Sequence, residues 1–439
     1  MGKNDSRREI IRNGGIMRVL WLCNIMLPFI AEHIGVKASN REGWLTGLAG
    51  RFQNDTGENQ ITLGICFPVN TGNGDVQGEI DGITYYGFYE NVAKETEYGK
   101  TLDASMLRIL ADFRPDIVHI FGTEFPHTLA MVKAFHDPAH TLIGMQGVCA
   151  ACAEHYFDGI PPYIRYRYTL RDILKFDNIR SQQKKFRIRA AREAQAIKGV
   201  DHVTGRTSLD REVTAAIHEG IHYHFMNETL RSNFYDKMWN LNDCERYSIF
   251  LSQGDYPLKG FHYMLQALPV IKKVYPETHV YIAGNQITKH DTWQSRWKLS
   301  SYGKYLLQLM CENELEDSIT FLGMVDSQEM CRQMLRAHVF VSPSTMENSP
   351  NSVGEAMLLG LPVVASSVGG VASMLTHEEE GFLYPVNEVN LLANYVCKIF
   401  SDDMIAMHLS EQARARAVKT HDPEINYRRL ITIYQKMYK

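Results

Sequence analysis

Residues 341–366 run Val341-Ser-Pro-Ser-Thr-Met-Glu347-Asn-Ser-Pro-Asn-Ser-Val-Gly-Glu355-Ala-Met-Leu-Leu-Gly360-Leu-Pro-Val-Val-Ala-Ser366. An apolar strand ends at Ser342, and a polar loop with two prolines follows. A helix begins near Ser352 and stops at Gly360, and Pro362 opens the next strand. Strand, loop, helix and strand in that order is one turn of a parallel α/β sheet. The loop presents backbone N–H groups and a helix N-terminus at the carboxyl end of the sheet, where open α/β sheets hold ligands, and this suits a diphosphate. Glu347 lies on the loop and Glu355 within the helix, so the two carboxylates meet different parts of one ligand. A glycosidase pair, which opposes two carboxyls across a scissile bond, is a different arrangement.

Outward from this stretch the same alternation fills the chain. In the second half, Tyr247–Ser252, His279–Ala283, Ile319–Leu322, Val339–Ser342 and Val363–Ala365 read as buried strands. Helical periods at Met264–Val274, Lys304–Glu312 and Ser327–Arg336 separate them. The first half has strands at Arg18–Cys23, Ile61–Phe67, Ile117–Phe121, Thr141–Met145 and His202–Thr204, with amphipathic stretches at Leu102–Phe113, Thr128–Phe135 and Ser181–Lys198. The region His222–Cys244 has neither period. Two doubly wound, Rossmann-like α/β domains facing across a cleft follow. The expected division is an extension at 1–16, a first domain at 17–225, a linker at 226–245, a second domain at 246–420 and a terminal helix at 421–439.

With 439 residues, 45% hydrophobic and 22% charged, the chain has an ordinary globular composition and room for two cores. A net charge of −4 argues against a dedicated nucleic-acid binder. No apolar run nears the roughly 18 residues that cross a bilayer, and residues 1–16 have no signal-peptide core, so a cytoplasmic location is expected. Met1-Gly2 with Ser6 formally matches a myristoylation pattern, but Met17 opens directly into a strand. Six of the eight cysteines are scattered in or beside apolar runs. Cys149 and Cys152 form a lone C-x-x-C, read as buried thiols rather than as a redox or zinc site.

Glu347, seven residues, then Glu355-Ala-Met and Gly360-x-Pro-Val-Val-Ala-Ser366 resemble the E-x7-E signature of family-4 retaining glycosyltransferases with the GT-B fold. The resemblance extends over nearly the whole chain from Met17, with specific motifs only in the second domain. It implies that Glu347 contacts hydroxyls of a donor sugar and that Glu355 holds the ribose hydroxyls of its nucleotide. Ser349, Asn351, Ser352 and Val353, which replace a Phe-Gly-containing loop at unchanged length, join the donor-binding set. A second match is Ser252-Gln-Gly254-Asp-Tyr-Pro-Leu-Lys259-Gly260. Here the resemblance implies cation contact with the donor diphosphate through Lys259, with Gly260 beside it. Gly254 stands where many relatives have a second cation, an Arg, and Arg206 is the candidate to replace it. Gly43, after the first strand, falls where relatives often have a Gly-rich turn near the phosphates. His127 and Glu124, in the loop after Ile117–Phe121, are expected to line the cleft as catalytic or acceptor-positioning groups. Gln146 is expected to line it too, and His119 to cap its strand.

Residues 163–198 carry eleven Arg and Lys interleaved with Tyr163, Tyr166, Tyr168 and Phe176. Such a run is either a solvated face or a peripheral contact with the inner face of an anionic membrane. The expected activity is transfer of a sugar from a nucleoside-diphosphate sugar to a glycan or lipid-linked acceptor, as in bacterial surface polysaccharide synthesis. Anomeric configuration would be retained and no metal or other cofactor needed, since no Asp-x-Asp motif is present. A nucleotide-sugar epimerase and a non-catalytic sugar-nucleotide binder are the alternatives of the same architecture. A glycan phosphorylase would need a pyridoxal phosphate lysine and much more chain.

Overall fold

The computed structural model describes residues 16–36, 43–53, 60–70 and 76–439. The formal myristoylation pattern therefore lies outside the described residues. Two sheets form. The first has eight strands: β1 Met17–Leu22, β2 Ile61–Val69, β3 Gln77–Ile80, β4 Ile83–Tyr89, β5 Ile117–Phe121, β6 Thr141–Gly144, β7 His202–Gly205 and β8 His222–Phe225, in the order β3-β4-β2-β1-β5-β6-β7-β8. Only the β3–β4 pair is antiparallel. The second has six parallel strands, β9 Ser248–Leu251, β10 His279–Ala283, β11 Ile319–Gly323, β12 Val339–Ser342, β13 Val363–Ser366 and β14 Phe382–Tyr384, in the order β11-β10-β9-β12-β13-β14. In each sheet the chain winds one way from the first strand and then the other. The switch points fall between β1 and β5 and between β9 and β12, and crevices for ligands open there.

The strands β1, β5, β6, β9, β12 and β13 are buried on both faces, as their unbroken apolar runs require. Four strands had no such run. β3 and β4 form a hairpin around Asp81-Gly82, both in the left-handed region, and the Asp-Gly pair is the local signal for that turn. β14 is three residues long. β8, His-Tyr-His-Phe, is an edge strand with no fully buried residue, so His222–Phe225 belongs to the first sheet and not to an aperiodic stretch reaching back to His222.

The helix Pro423–Tyr438 returns to the first domain. Tyr427, Leu430, Ile431, Tyr434 and Met437 join the core of β1 and β2, and the Tyr434 hydroxyl accepts from Trp21 Nε1 at 2.9 Å. His119, on β5, lies 2.6 Å from the same hydroxyl. Burial drops the imidazole to about 3, so it is a neutral core histidine and not a strand cap.

The domains also touch through apolar surface. Tyr156, Ile160, Ile164 and Ile179 of the first half pack into the core around the helix Phe261–Lys272. His262 Nε2 lies 3.1 Å from the carbonyl of Asp158.

Candidate functional site in the interdomain cleft

Lys259 and Glu347 come from the two loops that leave the second sheet at its switch point, after β9 and after β12. Backbone geometry brings those loops together. Thr345 N donates to the Leu258 carbonyl at 2.8 Å. Gly260 sits at φ +65°, and a Cβ there would lie 1.8 Å from the Pro343 carbonyl oxygen, so the position admits only glycine. The Glu347 loop is braced from its other side by Gly369 and Gly370, where added Cβ atoms would lie 2.0 Å from the carbonyl oxygens of Glu347 and Asn348. Gly370 N donates to the Glu347 carbonyl at 3.0 Å.

Held this way, Lys259 Nζ donates to Glu347 Oε1 at 2.6 Å, and Ser344 Oγ donates to the same oxygen at 2.8 Å. Both side chains are largely buried. Burial acts to lower the Lys259 ammonium, but the Glu347 carboxylate and the nearby Tyr256 phenol more than offset it, leaving its pKa above the ordinary lysine value. The cation is therefore fully charged at neutral pH.

Gly254 lies close under β10, and a Cβ there would meet Ile282 Cδ1 at 2.4 Å. A side chain at this position would have to displace the tip of Ile282 and press on Phe261 Cβ at 3.0 Å, so glycine is the residue that packs here without rearrangement. Arg206, from the end of β7, reaches across the cleft instead. Its Nη2 donates to the Ser349 carbonyl at 2.9 Å and to Asn351 Oδ1 at 3.3 Å, while Nε donates to Ser349 Oγ and Nη1 pairs with Glu228. Asn348 adds to this strap by accepting from Thr207 Oγ1 at 2.7 Å and donating to the Gln146 carbonyl at 3.3 Å. Arg206 thus places its charge at the Glu347–Glu355 loop, with Glu228 already balancing part of it.

The helix Asn351–Leu359 follows. Pro350 at its N-cap offers no side-chain cap, and its first turn has no acid. Its N-terminus is thus left for an anion or water. Ser352 lies half-buried in that first turn, and Val353 is fully buried beneath it. Glu355 lies one turn further in, 4% exposed. Both of its oxygens are taken by Arg231, from Nε and Nη2, each at 2.6 Å. Burial pushes this carboxyl above the usual range, and the Arg231 guanidinium pulls it part of the way back.

The first-domain candidates divide. Glu124 is half-buried; its Oε1 accepts from Gly147 N at 3.1 Å and its Oε2 from Thr123 N at 2.9 Å. His127 is not a cleft residue. It is fully buried, with Nδ1 on Glu90, Nε2 2.9 Å from Asn24 Oδ1, and its ring stacked on Phe125. Pro126 starts this helix earlier than its periodicity implied, which turns His127 inward. Gly43 begins the helix Gly43–Gln53, and the segment before it lies outside the described residues.

Arg231, Tyr256, Ser344, Asn348 and the Gly369-Gly370 pair were not evident beforehand. Only Gly-Gly after a strand gave a signal, that of a close backbone approach. Cys149 and Cys152 are free thiols, both pushed up by burial. Among the described residues no group of three or more His, Cys, Asp or Glu is placed to hold a metal, and no helix is long and apolar enough to cross a membrane.

Residues 233–416, which contain Lys259, Glu347 and Glu355, match the family model described as "Glycosyl transferases group 1". The amylovoran biosynthesis glycosyltransferase AmsK of Erwinia amylovora is 27% identical over 167 residues, 36% of this chain and 41% of that protein. The phosphatidyl-myo-inositol mannosyltransferase of Mycobacterium leprae is 27% identical over 188 residues, 43% of this chain and 46% of its own length. The matched region thus spans less than half the length of these curated relatives. Over the whole fold, the sucrose-phosphate synthase of Thermosynechococcus elongatus superposes with a TM-score of 0.71 at 14% identity, covering 96% of this chain and 99% of that one. Anabaena HepE, in a structure with UDP and glucose, gives 0.63 at 14% identity, covering 96% and 100%. The fold of this chain is the GT-B fold of two Rossmann-like domains, and its second domain carries the group 1 glycosyltransferase match.

Proposed function

We propose that this protein is a retaining glycosyltransferase of family 4, which moves a sugar from a nucleoside-diphosphate sugar to a glycan or lipid-linked acceptor. The observation that carries the reading is the convergence of Lys259, Glu347 and the uncapped helix leading to Glu355 at one switch point, inside the region that matches the glycosyltransferase family. Lys259 is the cation for the departing diphosphate, and the helix N-terminus adds the field of its first-turn N–H groups. Arg206 supplies further positive charge from the facing domain. Glu347, bridged to Lys259, orients the sugar, and Glu355 accepts from the ribose hydroxyls. Ser349, Asn351, Ser352 and Val353 shape the loop between them.

The chain offers the reaction positioning and charge rather than a covalent nucleophile. The leaving phosphate takes the acceptor proton and attack comes from the same face. Lys259 and the helix N-terminus perform the charge neutralisation that a metal performs elsewhere, so activity in a chelator is part of the proposal. AmsK is named for amylovoran biosynthesis and the HepE structure is described with UDP. On that footing the proposed donor is a UDP-sugar and the setting is surface polysaccharide assembly.

The peripheral membrane contact belongs to this reading, with a narrower footprint than the basic run of 163–198. In the long helix Ile179–Lys198, Arg189 donates to the Glu124 carbonyl and Arg192 to those of Glu95 and Thr96. The exposed apolar side chains lie before it, at Tyr163, Tyr166, Leu174 and Phe176, the last 81% exposed. Trp293 and Trp297 of the second domain stand exposed nearby, since Asp172 Oδ2 accepts from Ser301 N at 3.0 Å and joins the two segments. Arg167, Lys175, Arg296 and Lys298 are exposed among them. Aromatic and basic side chains mixed in this way suit the interface of an anionic bilayer on the cytoplasmic side.

The test is product analysis by NMR with a UDP-sugar and a mixed glycan acceptor pool, in the presence of EDTA. An acceptor-linked sugar of unchanged anomeric configuration supports the reading. An inverted product, or conversion of the donor to an isomer with no acceptor present, replaces it with an inverting transferase or an epimerase.

A further inference from the structure

The geometry points to Arg231 as a positioning residue for the nucleotide, holding the Glu355 carboxylate in the one orientation that leaves an acceptor on each oxygen for the ribose hydroxyls. This rests on the donor-site reading of Glu355 and adds a second residue to it, one that belongs to neither sheet.

The carboxylate can accept at about four lone-pair sites, two on each oxygen. Arg231 takes one from each through Nε and Nη2, both at 2.6 Å, in the parallel fork that fixes a carboxylate plane. One site per oxygen is left, the pattern a vicinal diol needs. Arg231 is itself fixed. Its guanidinium lies 4.8 Å from the centre of the Phe234 ring, and Phe234 is fully buried. The neighbouring Asn233 is tied to Ser327. The interdomain segment thus carries an arginine into the second domain and aims it at the foot of the helix Asn351–Leu359.

Without Arg231 nothing nearby replaces its charge. The other titratable groups around Glu355 are Tyr235, Cys331 and, over Gly354, His421, with Lys237 beyond Cys331 and Asp422 beyond Tyr235. Burial raises Tyr235 to about 12 and drops His421 to about 4, so both are neutral near pH 7, and burial also holds the Cys331 thiol up. Burial alone would then act on Glu355, and a buried carboxyl without its partner takes up a proton. A protonated carboxyl donates where the ribose needs an acceptor. The arginine therefore keeps the site able to bind at neutral pH. A plug would behave in the opposite way, since removing it would tighten binding.

The experiment is calorimetric titration of UDP, GDP and their 2′-deoxy counterparts into the full chain and its R231Q, R231K and E355Q variants across neutral to alkaline pH. Melting curves check that each variant is folded. The expected result is roughly tenfold weaker ribonucleotide binding in R231Q at neutral pH. Binding should recover as pH rises, with R231K intermediate and E355Q weak at every pH. The 2′-deoxy nucleotides should bind weakly to all four proteins and show little of the R231Q effect. Tighter binding in R231Q, or a loss independent of pH and equal for deoxy and ribo forms, would overturn the inference. If the wild-type chain binds no nucleoside diphosphate, the donor-site reading itself fails. If it binds one and R231Q is unchanged, only the role of Arg231 fails.

Discussion

Lys259 Nζ and Glu347 Oε1 stand 2.6 Å apart although 88 residues separate them in the chain, because the loops after β9 and β12 are laced together behind them. The ion pair puts a permanent cation and a carboxylate at one point. K259A should slow turnover about a hundredfold to a thousandfold, the range seen when one preorganised electrostatic group is removed. E347A should slow transfer with little change in donor affinity. The double variant should fall well short of the product of the two losses, because each side chain positions the other. Steady-state kinetics with direct donor titration checks this, and full additivity would show that the two act independently.

Gly260 carries the lacing of the two loops. G260A must relieve both a left-handed φ and a Cβ placed 1.8 Å from the Pro343 carbonyl oxygen, so the loops have to part. The expected cost is about 3 kcal/mol, which corresponds to a melting midpoint lower by roughly 6–12 °C in a domain of this size. Thermal melts monitored by circular dichroism measure it. A midpoint within a degree or two of wild type would mean that the contact is not required.

Much of this arrangement was legible beforehand, and the limits have physical causes. The strands β5, β10 and β12 and the helices Leu102–Phe113 and Ser327–Arg336 begin and end where their patterning places them, and the terminal helix, expected at 421–439, runs Pro423–Tyr438. Buried strands have unbroken apolar runs, and these helices have clear caps or amphipathic periods. Edge strands lack that signal, which hides β3 and β8, while β4, paired on both sides and largely buried, is Ile-Thr-Tyr-Tyr-Gly-Phe-Tyr and has no unbroken aliphatic run. In the site, Lys259, Glu347 and Glu355 announce themselves by spacing. Arg231 does not, because its importance lies in a contact across 124 residues that no local pattern records. His127 was misplaced for a related reason. Loop position suggested exposure, whereas the inward face of its helix was decided by packing against Phe88 and Phe125.

Glu193 gives the fold a pH signature apart from the donor site. It is 1% exposed, accepts from Thr123 Oγ1 and from Cys149 N at 3.0 Å, and is pushed up to about 7. Burial is the main cause; the Thr123 hydrogen bond opposes it and the Glu124 charge adds to it. The folded chain then holds this proton between about pH 4.5 and 7, where the unfolded chain has released it. Stability falls as pH rises through that window. E193Q should lack this dependence, so the wild-type advantage over it should shrink by on the order of 2 kcal/mol between about pH 5 and 8. Denaturant unfolding of both proteins across that range checks it, and parallel profiles would contradict it.

The aromatic and basic face should bind vesicles that contain phosphatidylglycerol and not pure phosphatidylcholine, with binding that weakens as salt rises. Replacing Leu174 and Phe176 by serine, or Trp293 and Trp297 by serine, should each weaken partition about tenfold while leaving nucleotide binding unchanged. Vesicle sedimentation reads this directly. An effect confined to one pair would show that only one domain touches the lipid, and loss of concentration-dependent self-association in place of lipid binding would make the face an interface between copies.

The most direct test of the donor site is a metal-free thermal-shift screen of UDP, GDP, ADP and their sugar conjugates on the wild-type chain and on E355A. A nucleotide at about 100 times its dissociation constant adds roughly 2.7 kcal/mol to the folded state, enough for a clear shift. The account predicts that one nucleotide class stabilises the wild type, in the presence of EDTA, and that the shift disappears in a folded E355A. No shift with any of them, or a shift that survives in E355A, would contradict it.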